Sequence, residues 1–212
     1  MTKNGNSLDQ RTFSKLSRLY VIALSTIALS VIISQFFVRN HLKTQQSDST
    51  VINIAGRQRM LSQKLTKEIV SVTISKDKIN RLLLKNKIKK TVDLWQMSHN
   101  SLQKGNDSLG LPARNSIEIK TKFLAINPIF DTIFNASKSI LNQLEINPLI
   151  SIDELSPSVE KVIKNESDFL LMMDDIVNQY DTEADAKVIW LRKLEFSLMI
   201  LTLLILLGEF LF

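Results

Sequence analysis

From Leu19 to Val38 the chain carries no charged residue. A run of about 20 predominantly apolar residues is what a helix needs to cross the hydrocarbon core of a bilayer, so the stretch reads as a membrane-spanning helix. Whatever follows must be built around that anchor. A cleaved signal peptide would have an apolar core of roughly 7 to 15 residues and a small-x-small cleavage site. Here the run is longer, and Ser34 to Asn40 offers no such site. Lys3, Arg11, Lys15 and Arg18 lie just before it, with Arg39 and Lys43 just after. The positive-inside rule then makes 1–18 a cytoplasmic tail and 19–38 the first span.

A second apolar run begins near Phe196 and reads FSLMILTLLILLGEFLF to the last residue, with Trp190 where an interfacial aromatic anchor belongs. It is read as a second span over 196–212, which makes the chain a two-pass membrane protein with 39–195 outside the cytoplasm. The run stops without a basic flank, and the natural protein is expected to continue beyond Phe212. Glu209 stands out there, because a carboxylate inside a spanning helix is costly and suggests a partner or a function, or else a place among the headgroups.

Between the spans the expectation is all-α. The chain has only 5 Gly and 4 Pro, too few to punctuate a turn-rich β architecture. Apolar residues recur at spacings of three and four. Val51, Ile54, Leu61, Leu65, Ile69 and Val72 mark one stripe, continuous with the first span. A second runs through Ile79, Leu82, Ile88, Val92, Trp95, His99 and Leu102, and ends at Lys104-Gly105-Asn106-Asp107. The third, with Asn115 as expected cap, carries Ile119, Phe123, Ile126, Phe130, Ile133, Ile140 and Leu144, with Pro128 as a candidate kink. Ser156 and Pro157 open the last, through Val159, Val162, Phe169, Met173, Ile176, Tyr180, Ala184, Val188 and Leu191. Four helices whose ends both return to the membrane predict an antiparallel up-down four-helix bundle between two transmembrane helices.

One stretch is more specific than periodicity. Ile52 to Leu65 reads INIAGRQRMLSQKL, setting two arginines, two glutamines and an Asn among small residues. It resembles the signature of the N-terminal sensor domain of type IV pilus methyl-accepting chemotaxis transducers, which also occurs in sensor histidine kinases. More loosely it is similar to the periplasmic box of nitrate/nitrite sensor kinases, matching at Asn53, Ala55, Gly56, Arg59, Met60 and Ser62 and departing at Arg57. The segment WQMSHNSLQKGNDSLGLP, Trp95 to Pro112, also looks like that family's pattern of a helix ending at a Gly before a short loop. The resemblance implies an extracytoplasmic, periplasmic sensing domain anchored in a bacterial inner membrane, a homodimer, a small-molecule ligand, a cytoplasmic transmitter or signalling partner, and an anion-contacting role for Arg59.

Chemistry alone supports part of this. Arginine offers a planar fork of donors that suits oxyanions. Arg57 and Arg59 are two positions apart and cannot share a helix face, so only one of them can point into a site. The candidate ligand-binding set is Arg59, Arg57, Asn53 and Gln63. The plainer alternative pairs the arginines with Glu68, Asp93 or another surface carboxylate. Asp174, Asp175, Asp181, Glu183 and Asp185 read as a wet helix face.

No phosphate loop, serine elbow or kinase signature appears, so no catalysis is expected. Without cysteine there are no disulfides, and the two histidines, His41 and His99, lack metal-ligand spacing. No metal or cofactor is therefore expected. The net charge of +6 comes from scattered Lys and Arg and gives no nucleic-acid footprint. The expected function is signal input: detecting a small molecule, with an oxyanion as the candidate, and passing a helix displacement across the membrane. The alternative is a membrane-anchored helical scaffold that docks a partner without a ligand.

Overall fold

A computed structural model describes the backbone of residues 5–211 and the side-chain surroundings of residues 13–208. The carboxylate of Glu209 lies outside the described side chains. Four α-helices follow one another: α1 Gly5–Ile74, α2 Lys78–Lys104, α3 Ile117–Ile146 and α4 Ile152–Leu211, with one 3-10 turn at Asp107–Leu109. The chain divides into two compact units, one formed by Met1–Gln45 and Asp185–Phe212, the other by Gln46–Ala184.

Gln46–Ala184 is an antiparallel four-helix bundle, and its hydrogen bonds show the up-down-up-down path. Three residues link α1 to α2 and five link α3 to α4, and connections this short make antiparallel neighbours. Both links lie at the same end. Arg81 joins them, its Nε donating to the Val72 carbonyl (3.2 Å) and its Nη1 to the carbonyls of Pro148 (3.0 Å) and Ile150 (2.8 Å). The long α2–α3 link lies at the other end, where Asn115 and Ser116 bond to Tyr180 and Glu183 of α4.

Arg81 also sets the level at which α1 and α2 run back past each other. With equal rise per residue on two antiparallel helices, Ile69 comes level with Leu84 and Leu65 with Ile88. Further from the turn, Ser62 comes level with Thr91, Gln58 with Trp95 and Ala55 with Ser98. Every one of these residues is buried. The alternation of three and four along both helices is the narrow seam of coiled-coil-like packing. Ile119, Phe123, Ile126, Phe130, Ile133, Ile140 and Leu144 of α3, with Val159, Val162, Phe169, Met173 and Ile176 of α4, fill the rest of the core as expected.

Helix starts differ from the sequence expectations in three places. Ile79 is exposed and Leu82 half-buried, while Arg81 and Leu84 point inward; the buried arginine, pinned by carbonyls, sets the register of that first turn. Ser116 rather than Asn115 caps α3, its hydroxyl accepting from the Ile119 N–H (3.1 Å). Asn115 instead donates to the Leu102 carbonyl (2.8 Å) and accepts from the Tyr180 hydroxyl (2.9 Å). Finally, α4 starts at Ile152, before Ser156. Ser151 accepts from the Glu154 N–H (3.3 Å) and donates to its carboxylate (2.8 Å), so the Ser-x-x-Glu capping spacing outcompetes the Ser-Pro pair. Pro157 therefore sits inside the helix.

At the end of α2 the resemblance holds. Gly105 follows the last helical residue at φ 82°, and a Cβ there would meet Ala113 at 2.8 Å. Only glycine fits that turn. Asn106 and Leu111 then close the loop through two backbone bonds of 2.9 and 3.0 Å.

The other unit consists of the outer parts of α1 and α4, with Ser30 Oγ 3.0 Å from Thr202 Oγ1. Among the described residues one helix is long and apolar enough to cross a membrane, the helix from Phe13 to Ile74, with mean hydropathy 2.3 over its most apolar 18 residues. The C-terminal run falls short of that measure because an 18-residue stretch ending at Gly208 takes in Arg192, Lys193 and Glu195.

Candidate ligand site on the first helix

The motif from Ile52 to Leu65 is divided by helical geometry into an inner and an outer face. Ala55, Gln58, Ser62 and Leu65 point into the bundle, whereas Asn53, Arg57, Met60 and Gln63 are exposed. Arg59 lies on the boundary. Its side chain is 40% exposed and forms an ion pair with Asp174 of α4, itself 48% exposed, through Nη1 and Oδ1. The partner is thus neither Glu68, which faces Lys64 at 3.7 Å, nor Asp93, which faces Lys138 at 4.0 Å. Arg57 makes no ion pair among the described residues.

Spacing decides which motif residues stand together. Gln63 is four positions from Arg59 and Gly56 three, so the three lie on one side of α1. A Cβ built on Gly56 would meet nothing within 4 Å, which leaves an open notch one turn from the guanidinium. Asn53, three residues before Gly56, stands further round the helix, on the flank it shares with Arg57 four positions on. Arg57, two positions from Arg59, points away from its guanidinium. The structure therefore groups Arg59 and Gln63 beside the open notch at Gly56 and sets Asn53 and Arg57 together on the neighbouring flank.

Chemically, Arg59 is half-engaged. A guanidinium has five N–H donors in a planar fork, and the bond to Asp174 involves a single nitrogen. Exposed pairs of this kind contribute only about 0.2–1 kcal/mol, since water competes and two long side chains must be held still.

Behind the motif the interior is unusually polar. Gln58 is fully buried, and among the described residues neither its Nε2 nor its Oε1 has a hydrogen-bond partner; the same holds for Thr91 Oγ1, Trp95 Nε1 and His99 Nδ1. Trp95 packs on Phe130 and Phe169 with ring centroids 4.3 and 4.9 Å apart. His99 stacks on Phe130 at 3.8 Å with ring planes 6° apart. Its Nε2 is 2.9 Å from Asn127 Oδ1, which also accepts from Gln103 Nε2 at 3.2 Å. Since the Asn127 amide nitrogen donates back to Gln103 Oε1, that oxygen is the acceptor and His99 Nε2 carries the proton. Burial outweighs this bond and pushes the imidazole pKa down to about 4, so the ring is neutral near pH 7. At the far end burial pushes the Tyr180 phenol up. No trio of His, Asp or Glu gathers as a metal site among the described residues.

Sequence reasoning missed Asp174, whose tie to Arg59 spans 115 positions and leaves no local trace. It also passed over Gln58. There a signal existed, for Ala55, Gln58, Ser62 and Leu65 repeat at three, four and three and continue the buried stripe.

Comparison with known proteins places the bundle in a family. The family model for the N-terminal domain of type IV pili methyl-accepting chemotaxis transducers matches residues 41–151, more than half of the 212-residue chain. The chain belongs to that family, as the arginine motif and the glycine-ended second helix imply. Among solved structures, the ligand-binding domain of the P. aeruginosa nitrate receptor McpN is similar at 19% identity and a TM-score of 0.47, over 64% of this chain and 96% of that one. No curated protein matches the chain. The matched family is sensory rather than catalytic. Its match ends before α4, so Asp174 lies outside the matched residues.

Proposed function

We propose that this chain is the extracytoplasmic sensing module of a bacterial membrane receptor, which takes up a small oxyanion at Arg59 and passes a helix displacement to a cytoplasmic transmitter. The observation that carries the reading is the half-exposed Arg59 guanidinium beside the open notch at Gly56, on a helix whose other face is locked into the core. Gln63 adds a polar group along the same side; Asn53 and Arg57, on the neighbouring flank, contribute less. Two copies pairing along this side would face one Arg59 with another and share an anion between them. This is the expected homodimer.

The placement in the membrane is part of the proposal. Residues 1–18 form a cytoplasmic tail, 19–38 the first span, 39–195 the sensing domain and 196–212 the second span. Phe36, Ile32, Leu29 and Val21 of α1 are more than half exposed, as are Phe196, Leu201, Leu203, Leu204 and Leu207 of α4. Apolar surface on that scale is at home in hydrocarbon rather than in water. α1 and α4 each contribute to both compact units, so a shift between them has a path toward the bilayer, and displacements of an ångström or two suffice for such signals.

Thermal unfolding of the full chain in detergent micelles, with nitrate, sulfate or phosphate added, tests the reading. A ligand that binds only the folded state stabilises it by about 2.7 kcal/mol at a hundredfold excess over Kd. Nitrate is expected to raise the midpoint in the wild type and leave Arg59→Ala unmoved. If no anion shifts the wild type, the function moves to partner docking by a membrane-anchored scaffold.

A further inference from the structure

We infer that Asp174 is a built-in competitor for the anion, occupying the Arg59 guanidinium until a small planar monoanion displaces it and frees α1 from α4. The inference rests on the oxyanion reading of Arg59. A carboxylate is itself a planar oxyanion, and a guanidinium that suits one suits a free anion of similar shape. Asp174 already holds that position. Both side chains are close to half exposed, so the pair is weak enough to exchange.

The neighbouring carboxylate makes the exchange directional. Asp175 forms an ion pair with Lys122 of α3. When an anion takes Arg59, α4 stays tied to α3 through Asp175, and the link that opens is the one between α1 and α4. Successive carboxylates on α4 thus divide the work, one holding a fixed neighbour and one a releasable neighbour. The displaced Asp174 also remains within a side chain's length of the site. Its negative charge penalises divalent anions more than monovalent ones, which makes Asp174 the residue that sets both affinity and charge selectivity.

Isothermal titration of the full chain in detergent micelles with nitrate and with sulfate reads this directly. Asp174→Asn keeps the shape and removes the charge, and nitrate affinity is expected to tighten by about twofold to fivefold, the equivalent of a partly exposed ion pair. Sulfate should gain more than nitrate. Asp175→Asn removes the same charge one residue away without touching Arg59, and should leave nitrate affinity unchanged. Equal tightening in both variants would mean that Asp174 acts only through the general field, which overturns the inference. An unchanged Kd in Asp174→Asn, with binding still lost in Arg59→Ala, sinks the competitor and keeps the anion site. No nitrate or sulfate binding in either the wild type or Asp174→Asn removes both.

Discussion

Two arginines bridge helices in this bundle, and they do so in opposite ways. At the end of the bundle that holds the two short links, Arg81 is 4% exposed and donates to three main-chain carbonyls, one in the last turn of α1 and two in the α3–α4 link. Midway along the bundle portion of α1, Arg59 is close to half exposed and holds one carboxylate. Carbonyls in a turn cannot leave without unfolding the turn, whereas a carboxylate on a flexible side chain can swing aside. The same side chain is therefore a rivet in one region and a latch in the other. The seam behind each follows suit. Leu65, Ile69, Leu84 and Ile88 near Arg81 are apolar, while Gln58, Ser62, Thr91 and Ser98 near Arg59 are polar or small.

The largest test of this contrast is Arg81→Ala. It would leave three carbonyls without their donor, two of the three bonds being fully buried, and should cost about 3 kcal/mol or more in urea unfolding of the full chain. A loss below about 1 kcal/mol would erase the distinction between the two arginines.

Acid should next weaken the polar half selectively. The folded-state pKa of His99 is depressed to about 4 from an ordinary 6.5. The unfolded chain therefore binds the proton first, and the stability present above pH 6.5 is lost as pH falls toward 4. Between pH 7 and pH 5 the loss is about 2 kcal/mol. His99→Phe should show a shallower pH dependence over that interval, and an unchanged slope would assign the acid sensitivity to other groups.

Gln58→Leu should stabilise the bundle by about 1 kcal/mol, since it replaces a buried amide lacking partners with an apolar side chain of similar length. Destabilisation would show that the amide finds a partner in solution, and would place a bound polar molecule behind the motif. The smallest expected change in stability belongs to Arg59→Ala, less than about 1 kcal/mol by the same urea assay, even though the same variant is expected to lose the proposed anion binding. A cost approaching that of Arg81→Ala would make Arg59 structural.

Much of the bundle was legible because burial on a helix repeats every three to four residues. The stripe of α3 read from sequence lies wholly in the core, and that of α4 does so from Val159 to Ile176, while Tyr180, Ala184, Val188 and Leu191 further on are only half-buried. The misreadings sit at helix ends, where two local signals compete: Ser151 and Ser156 both look like caps, and only the bonds to Glu154 choose between them. At Ile79 and Leu82 the pattern failed because a buried cation, Arg81, took a place that periodicity reserves for apolar residues.

The candidate site was legible in part. Arg59 stood out as a donor fork within a motif, and the two-residue offset was enough to say that Arg57 could not share its face. What the sequence by itself determined is everything carried by neighbours along one chain: the helices, their inner faces, the apolar runs at either end, the glycine that ends α2, and the family motif. Only the tertiary structure decided what meets across the bundle, namely that Arg81 finds three carbonyls, that Arg59 finds Asp174 and that Gln58 comes level with Trp95. Helical periodicity is a local property of the backbone, but the partner of a charged side chain depends on which residues distant in sequence the packing brings within a few ångströms.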